Sequence, residues 1–138
     1  MSIKEHLEYL NFYIKNLSVN LVADIEQFSN DQVKVDISLG FAEPRIIEEE
    51  NNLIAVFPYR LEFRSSDQVS IDSEFVIGFA IKSDSIKSLE DLKSLVNKNK
   101  DEFVKYITRT VNQLIDNGLE HTNIRFEEQF AIEPLNYL

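Results

Sequence analysis

Three consecutive stretches of the chain alternate apolar and polar residues one by one, and every other segment must cover or extend them. Val33, Val35, Ile37, Leu39 and Phe41 are separated by Lys34, Asp36, Ser38 and Gly40. Leu53, Ala55, Phe57, Tyr59, Leu61 and Phe63 share one side of the second stretch, with Arg60, Glu62 and Arg64 on the other. Val69, Ile71, Phe75, Ile77, Phe79 and Ile81 repeat the pattern. Successive strand side chains point to opposite faces, so this period of two predicts a sheet with one buried and one wetter face. Upstream, Leu17, Val19 and Leu21 alternate with Ser18 and Asn20 and predict a preceding first strand beginning after Asn11. Before it, Ser2 caps a short predicted amphipathic helix in which Ile3, Leu7 and Leu10 share a face.

After Ile81 the period becomes helical. Ser88 with Asp91 three residues on resembles a capping box, and Leu89, Leu92, Leu95 and Val96 form a short apolar stripe. A second, longer helix is predicted from Asn99 to Asn117, with Asp101 and Glu102 in its first turn and Gly118 as a left-handed cap. Its stripe of Phe103, Val104, Ile107, Val111, Leu114 and Ile115 is wide enough to lie across the sheet, while Tyr106 and Thr110 flank it and are expected to meet a neighbouring subunit. The tail from Glu120 to Leu138 reads as an extended segment packed on the body or on a partner, around Phe126, Phe130 and Ile132.

The connections carry their own expectations. Phe28, in the polar link from Asp24 to Asp31, is read as an anchor to the body. Glu48, Glu49 and Glu50 are read as part of a solvated turn ending in Asn51 and Asn52, not as a metal site. Neighbouring carboxylates in an extended segment diverge instead of converging on one ion, and the spaced ligands and glycine turn of a calcium loop are missing. Pro58 forfeits a ladder hydrogen bond, so a bulge or kink is expected there, or a nitrogen turned away from a neighbour. Ser65 to Gln68 makes a tight hairpin connection, and Gly78 admits a close backbone approach.

Composition narrows the class. At 138 residues and 43% apolar content the chain is one domain, 1–138, with enough material for a core. It has no cysteine, which removes disulfides, thiolate nucleophiles and zinc ribbons. No signal-peptide core or membrane-length apolar run is present, so a soluble, cytoplasmic protein is expected. Lys and Arg total 14 against 24 Asp and Glu, a net charge of −10 that repels a phosphate backbone, and no basic cluster is denser than Arg60, Arg64 and Lys82. No nucleic-acid or membrane partner is expected.

Nothing points to catalysis. His6 and His121 lack a nearby triad or metal-site partner and read as surface histidines, and Gly40, Gly78 and Gly118 are too scattered to cradle a phosphate. Asp36, Glu62, Asp72 and Glu74 alternate outward on strands, as a wetted sheet face requires. The expectation is a non-enzyme with no cofactor and no metal.

Several strings resemble those of the SecB-like family, which comprises the SecB protein-export chaperone and its relatives. Tyr13-Ile14-Lys15-Asn16-Leu17-Ser18 is similar to the family's first-strand Tyr-Thr-Lys-Asp-Ile-Ser. Val33-Lys34-Val35-Asp36-Ile37 is similar to its Val-Lys-Leu-Asp-Leu, and Phe130 to Tyr137 resembles its Leu-Asn-Leu-Ala-Pro-Val-Asn-Phe. The resemblance spans most of the chain from Tyr13. It implies an α+β fold of β4α2 type, a four-stranded antiparallel sheet covered on one face by a short and a long helix, assembled as a dimer or tetramer. It also implies an ATP-independent holdase for unfolded polypeptides, or a module with one dedicated protein partner such as an antitoxin. Matching strings give Val35 and Ile37 a groove-lining, client-binding role, and aligning the long helix back from Gly118 adds Phe103, Val104 and Ile107. The family's acidic first-strand contacts to its motor ATPase appear here as Asn16 and Asn20, which leaves Asp67 as the acidic partner-binding counterpart and puts motor delivery in doubt.

Overall fold

The structure is a computed structural model describing residues 2–21, 35–65, 69–120, 130 and 132. Five strands form one antiparallel sheet: β1 (Leu7–Leu21), β2 (Val35–Phe41), β3 (Arg45–Glu49), β4 (Asn52–Ser65) and β5 (Val69–Ile81). Two helices follow, α1 (Leu89–Lys98) and α2 (Lys100–Leu119), and a short 3-10 turn (Ile3–Glu5) precedes β1. The strand order is β1-β5-β4-β2, with β3 also paired to β4. This is the α+β arrangement expected from the alternation, with one strand more than predicted.

The extra strand comes from the segment read as a solvated turn. Arg45 to Glu49 pairs with Val56 to Asn52, and the chain reverses at Glu50 and Asn51, whose φ values of 50° and 67° match the twist of a two-residue hairpin. β2 and β3 lie along the same side of β4, broken at Ala42 to Pro44. Pairing steps from Phe41 opposite Tyr59 to Arg45 opposite Val56, so one extra residue sits on the β2–β3 side. Pro58 explains the break. Its carbonyl accepts the Ala42 N–H at 3.2 Å and so faces that side; its nitrogen, with no hydrogen to give, faces the same way. The irregularity expected at Pro58 therefore falls in the neighbouring strand, while the β4–β5 ladder runs through Pro58 opposite Val76 unbroken. Because one added residue inverts side-chain parity, Ile46 joins Phe41 on the inner face.

β1 begins at Leu7, earlier than the alternation predicted, and displaces the expected N-terminal helix. Two register shifts, between Tyr9 and Asn11 and between Ile14 and Asn16, keep Tyr9, Phe12, Ile14, Leu17 and Val19 opposite inner-face residues of β5. At the second shift the Asn16 side-chain oxygen accepts the Glu74 N–H at 3.1 Å and the Asn16 carbonyl accepts the Ser73 hydroxyl at 2.8 Å. Those groups would otherwise lose partners at the bulge. His6 is buried instead of exposed, its Nδ1 3.2 Å from the Ser85 hydroxyl, because the turn into β1 docks against the segment leaving β5.

The inner face of β4 and β5 is the core: Ala55, Phe57, Tyr59, Leu61, Phe63, Val69, Ile71, Phe75, Ile77 and Phe79 are all buried. The helices cover it. The Ser88 capping box forms as predicted, with Ser88 accepting from Asp91 N–H and the Asp91 carboxylate accepting from Ser88 N–H. The helix break is confined to Asn99, whose side chain satisfies the Leu95 carbonyl at 2.9 Å. Phe103 meets Phe79 near one end of β5, and Gly118 meets Ile71 near the other, so α2 runs antiparallel to β5 along its length. Gly118 is not a left-handed cap. It lies inside α2 without a positive φ, and a Cβ there would come within 3.1 Å of Ile71 and Val19, so its missing side chain is what lets the helix sit close to β1 and β5. Tyr106 and Thr110 also face inward: Tyr106 stacks on Tyr9 at 5.4 Å, and the buried Thr110 hydroxyl donates to the Tyr106 carbonyl.

Candidate functional site

The two margins of the inner face are the features that α2 leaves over. On the β1 side, Ile14 and Leu17 are on the helix face yet 42% and 36% exposed. Among the described strands β1 is also the terminal one of the sheet. On the opposite side, Phe41 at the end of β2 is 44% exposed, and Val35, Ile37 and Leu39 are half-buried against the core. A long helix lying along β5 cannot reach both edges of a sheet this wide, since strands stand about 4.8 Å apart and a helix is about 10 Å across.

The residues expected to line a groove divide accordingly. Val35 and Ile37 do stand on the inner face of β2, opposite Ser65 and Phe63. Val104 is half-buried on α2, whereas Phe103 and Ile107 are inside the core; the Phe103 ring lies 4.8 Å from Phe57 and 5.6 Å from Phe79. Asp67, like Phe28 and His121, lies outside the described residues.

A further component escaped the pattern reading. The buried Asn112 on α2 donates to the Phe130 carbonyl at 2.8 Å and accepts the Phe130 N–H at 2.7 Å, and it also donates to the Thr108 carbonyl at 2.8 Å. The Phe130 ring meets Phe63 edge-on at 5.5 Å, and Ile132 also packs on the core. The β2 margin thus contains a backbone contact between Phe130 and α2, beside the sheet. The sequence places two amides, Asn112 and Gln113, between Val111 and Leu114, and only the packing shows that Asn112 is the buried one while Gln113 is exposed.

At the N-terminus, Glu102 ties the chain end to α2, its two oxygens accepting from the Ser2 hydroxyl at 2.8 Å and the Ile3 N–H at 3.2 Å. Burial pushes its carboxyl up, but the Ser2 hydroxyl and the Ile3 and Lys4 N–H groups outweigh this and hold it below the usual carboxylate range. Burial conversely pushes the Tyr9 phenol up.

The outer face is charged and largely self-paired. Arg64 meets Asp72 at 3.0 Å, Arg60 meets Glu62 at 3.7 Å, and Lys15 meets Glu74 at 3.7 Å. A concavity of about 390 Å³ on that face is bordered by Lys15, Arg60 and Glu74 over Pro58 and Val76. Near the N-terminus a smaller hollow of about 260 Å³ includes His6, Ser85 and Asp91. Ser85 also pairs with Ser83 at 2.7 Å, and Asp91 is committed to the Lys87 and Ser88 N–H groups, so the three do not form a proton relay.

This geometry defines a two-layer α+β domain whose single long helix under-covers an apolar sheet face. No protein-family model matches the chain, and no curated protein matches its sequence. Among solved structures, the chain is similar to the Rv1957 SecB-like chaperone of Mycobacterium tuberculosis, solved in complex with a ChAD peptide from the Rv1956 HigA1 antitoxin. The identity is 13% and the TM-score 0.49, over 96% of each chain. A protein of unknown function from Streptococcus agalactiae is similar at 12% identity and a TM-score of 0.30, covering 88% of this chain and 98% of that one. Neither likeness defines a family or an activity for this chain. No described helix is long and apolar enough to cross a membrane.

Proposed function

We propose that the chain is an ATP-independent, SecB-like holdase that binds unfolded polypeptides along the apolar margins beside α2, in the cytoplasm, without catalysis or a cofactor. The observation that carries this reading is the exposure of Ile14, Leu17 and Phe41 on the same sheet face that forms the core. Apolar surface continuous with a packed core binds non-native segments by area, without reading their side chains individually. Among the described residues β1 pairs on one side only, with β5, and this edge beside Ile14 and Leu17 supports self-association as a dimer or tetramer, because a strand edge with apolar flanks is a template for another strand. The family strings around Tyr13, Val35 and Phe130 support the same reading.

The test is light scattering of a chemically denatured client diluted with and without the chain. Suppression at stoichiometric amounts is expected, and undiminished aggregation overturns the holdase reading. A dedicated-partner module, for example one serving an antitoxin, is the second reading. It is favoured by the β2 margin, where Phe130 already occupies part of the surface and makes it more selective. A pull-down returning one partner supports it, whereas a broad client set excludes it.

A further inference from the structure

Asn112 is the point where the core departs from apolar logic. It is 5% exposed and follows Val111 in the buried stripe of α2, a place where an amide is costly unless every donor and acceptor is satisfied. One Nδ2 hydrogen goes to the Thr108 carbonyl of its own helix; the other goes to the Phe130 carbonyl, and Oδ1 accepts the Phe130 N–H. A single side chain therefore bonds both backbone groups of one residue, the two-point contact that a neighbouring strand makes to an extended residue. Such a contact reads backbone and is indifferent to the side chain at that position. Phe63, whose ring meets Phe130 at 5.5 Å, supplies the apolar wall. Ile132, two residues on, also packs against the core, the spacing at which an extended chain presents side chains to one face.

Without such a segment, Asn112 would keep its helix bond and leave two polar positions unpaired in an apolar setting. We propose that the space between Asn112 of α2 and Phe63 of β4 is a binding site for an extended, apolar-alternating polypeptide, occupied at rest by the chain's own Phe130 and Ile132. The inference rests on the polypeptide-binding reading above and adds the contact residue, the ligand conformation and a competitor in cis. Phe130 is tethered 18 positions from Asn112, so it competes with an incoming chain at an effective concentration of order millimolar. An outside segment of equal intrinsic affinity gains access only by displacing it.

The probe is a fluorescently labelled peptide copying residues 126–134, titrated by anisotropy against the full chain. Phe130→Asp with Ile132→Asp, which expels the resting occupant, is expected to tighten probe binding about tenfold. Adding Asn112→Leu, which fills the space but removes the amide, is expected to abolish that gain. The Asn112 side-chain amide resonance should shift between the wild-type chain and the double-Asp variant, which reports departure of Phe130 independently of affinity; circular dichroism verifies that both variants fold. Equal probe affinity in wild type and the double-Asp variant, or a gain that survives Asn112→Leu, overturns the inference. If client aggregation is still suppressed in those cases, the holdase reading stands alone. Absence of both suppression and probe binding in every variant overturns the two together.

Discussion

Replacing Phe103 by alanine separates a core role from a groove role at the position where sequence resemblance and packing pull apart. Phe103 is 2% exposed, and its ring is within 4.8 Å of Phe57 and 5.6 Å of Phe79, so truncation removes a ring from the centre of the core. Deletions of this kind cost about 3–5 kcal/mol, the transfer term and the cavity acting together. For a chain of 138 residues the unfolding entropy is about 0.3 kcal/mol/K, so the same loss lowers Tm by roughly 10–17 °C. The assay is urea unfolding followed by far-UV circular dichroism and tyrosine fluorescence, since the chain has five tyrosines and no tryptophan. Protein concentration is matched between variants so that self-association does not move the midpoint. Val104→Ala, at the half-buried neighbour, is the comparison and should cost about 1 kcal/mol. A Phe103→Ala chain within about 0.5 kcal/mol of wild type, with weakened client binding, would refute the packing argument and return Phe103 to the groove.

Glu102→Gln tests the N-terminal tie: because the folded carboxyl titrates below its unfolded value of about 4.3, its contribution is complete above that value and is lost as pH falls through the folded one. The stability gap between wild type and variant should therefore be widest near neutral pH and close in acid, and a gap independent of pH would count against the tie. Glu50→Gly should stabilise the chain by about 0.5 kcal/mol in a thermal melt, because Glu50 holds φ at 50°, where a Cβ is disfavoured; a loss of stability would contradict the turn assignment. Ile14→Lys with Leu17→Lys should shift size-exclusion elution towards monomer while leaving the circular dichroism spectrum unchanged, and unchanged elution of an oligomer would remove β1 as the self-association edge.

β4 from Ala55 onward and β5 as far as Phe79 were legible because both are interior to the sheet and their odd residues face the core, whereas Leu53 at the hairpin end of β4 is 41% exposed. α1 was legible from its cap, since Ser88 and Asp91 act within one turn and need nothing from the rest of the chain. β1 was only half legible. Its inner residues fall at 9, 12, 14, 17 and 19, a spacing that matches neither a strand nor a helix until two bulges absorb Leu10 and Lys15. β3 was hidden because Glu48 and Glu49 suit a solvated strand as well as a turn, and because Pro44 separates it from β2 at the break where Ala42 meets Pro58 of β4.

The candidate site divides along the same line. Periodicity placed Val35 and Ile37 on the sheet face and Phe103, Val104 and Ile107 on one helix stripe, because facing is a local property of φ and ψ. Which of them stay partly accessible was decided only when α2 settled along β5, admitted by Gly118, and left the two outer strands under-covered. Likewise the sequence shows only that Asn112 and Gln113 follow Val111; that Asn112 is the buried one, and that it meets Phe130 18 residues away, was decided by the packing. Local alternation specifies what each side chain can bury, and only the packed chain decides which of those surfaces remains for another polypeptide.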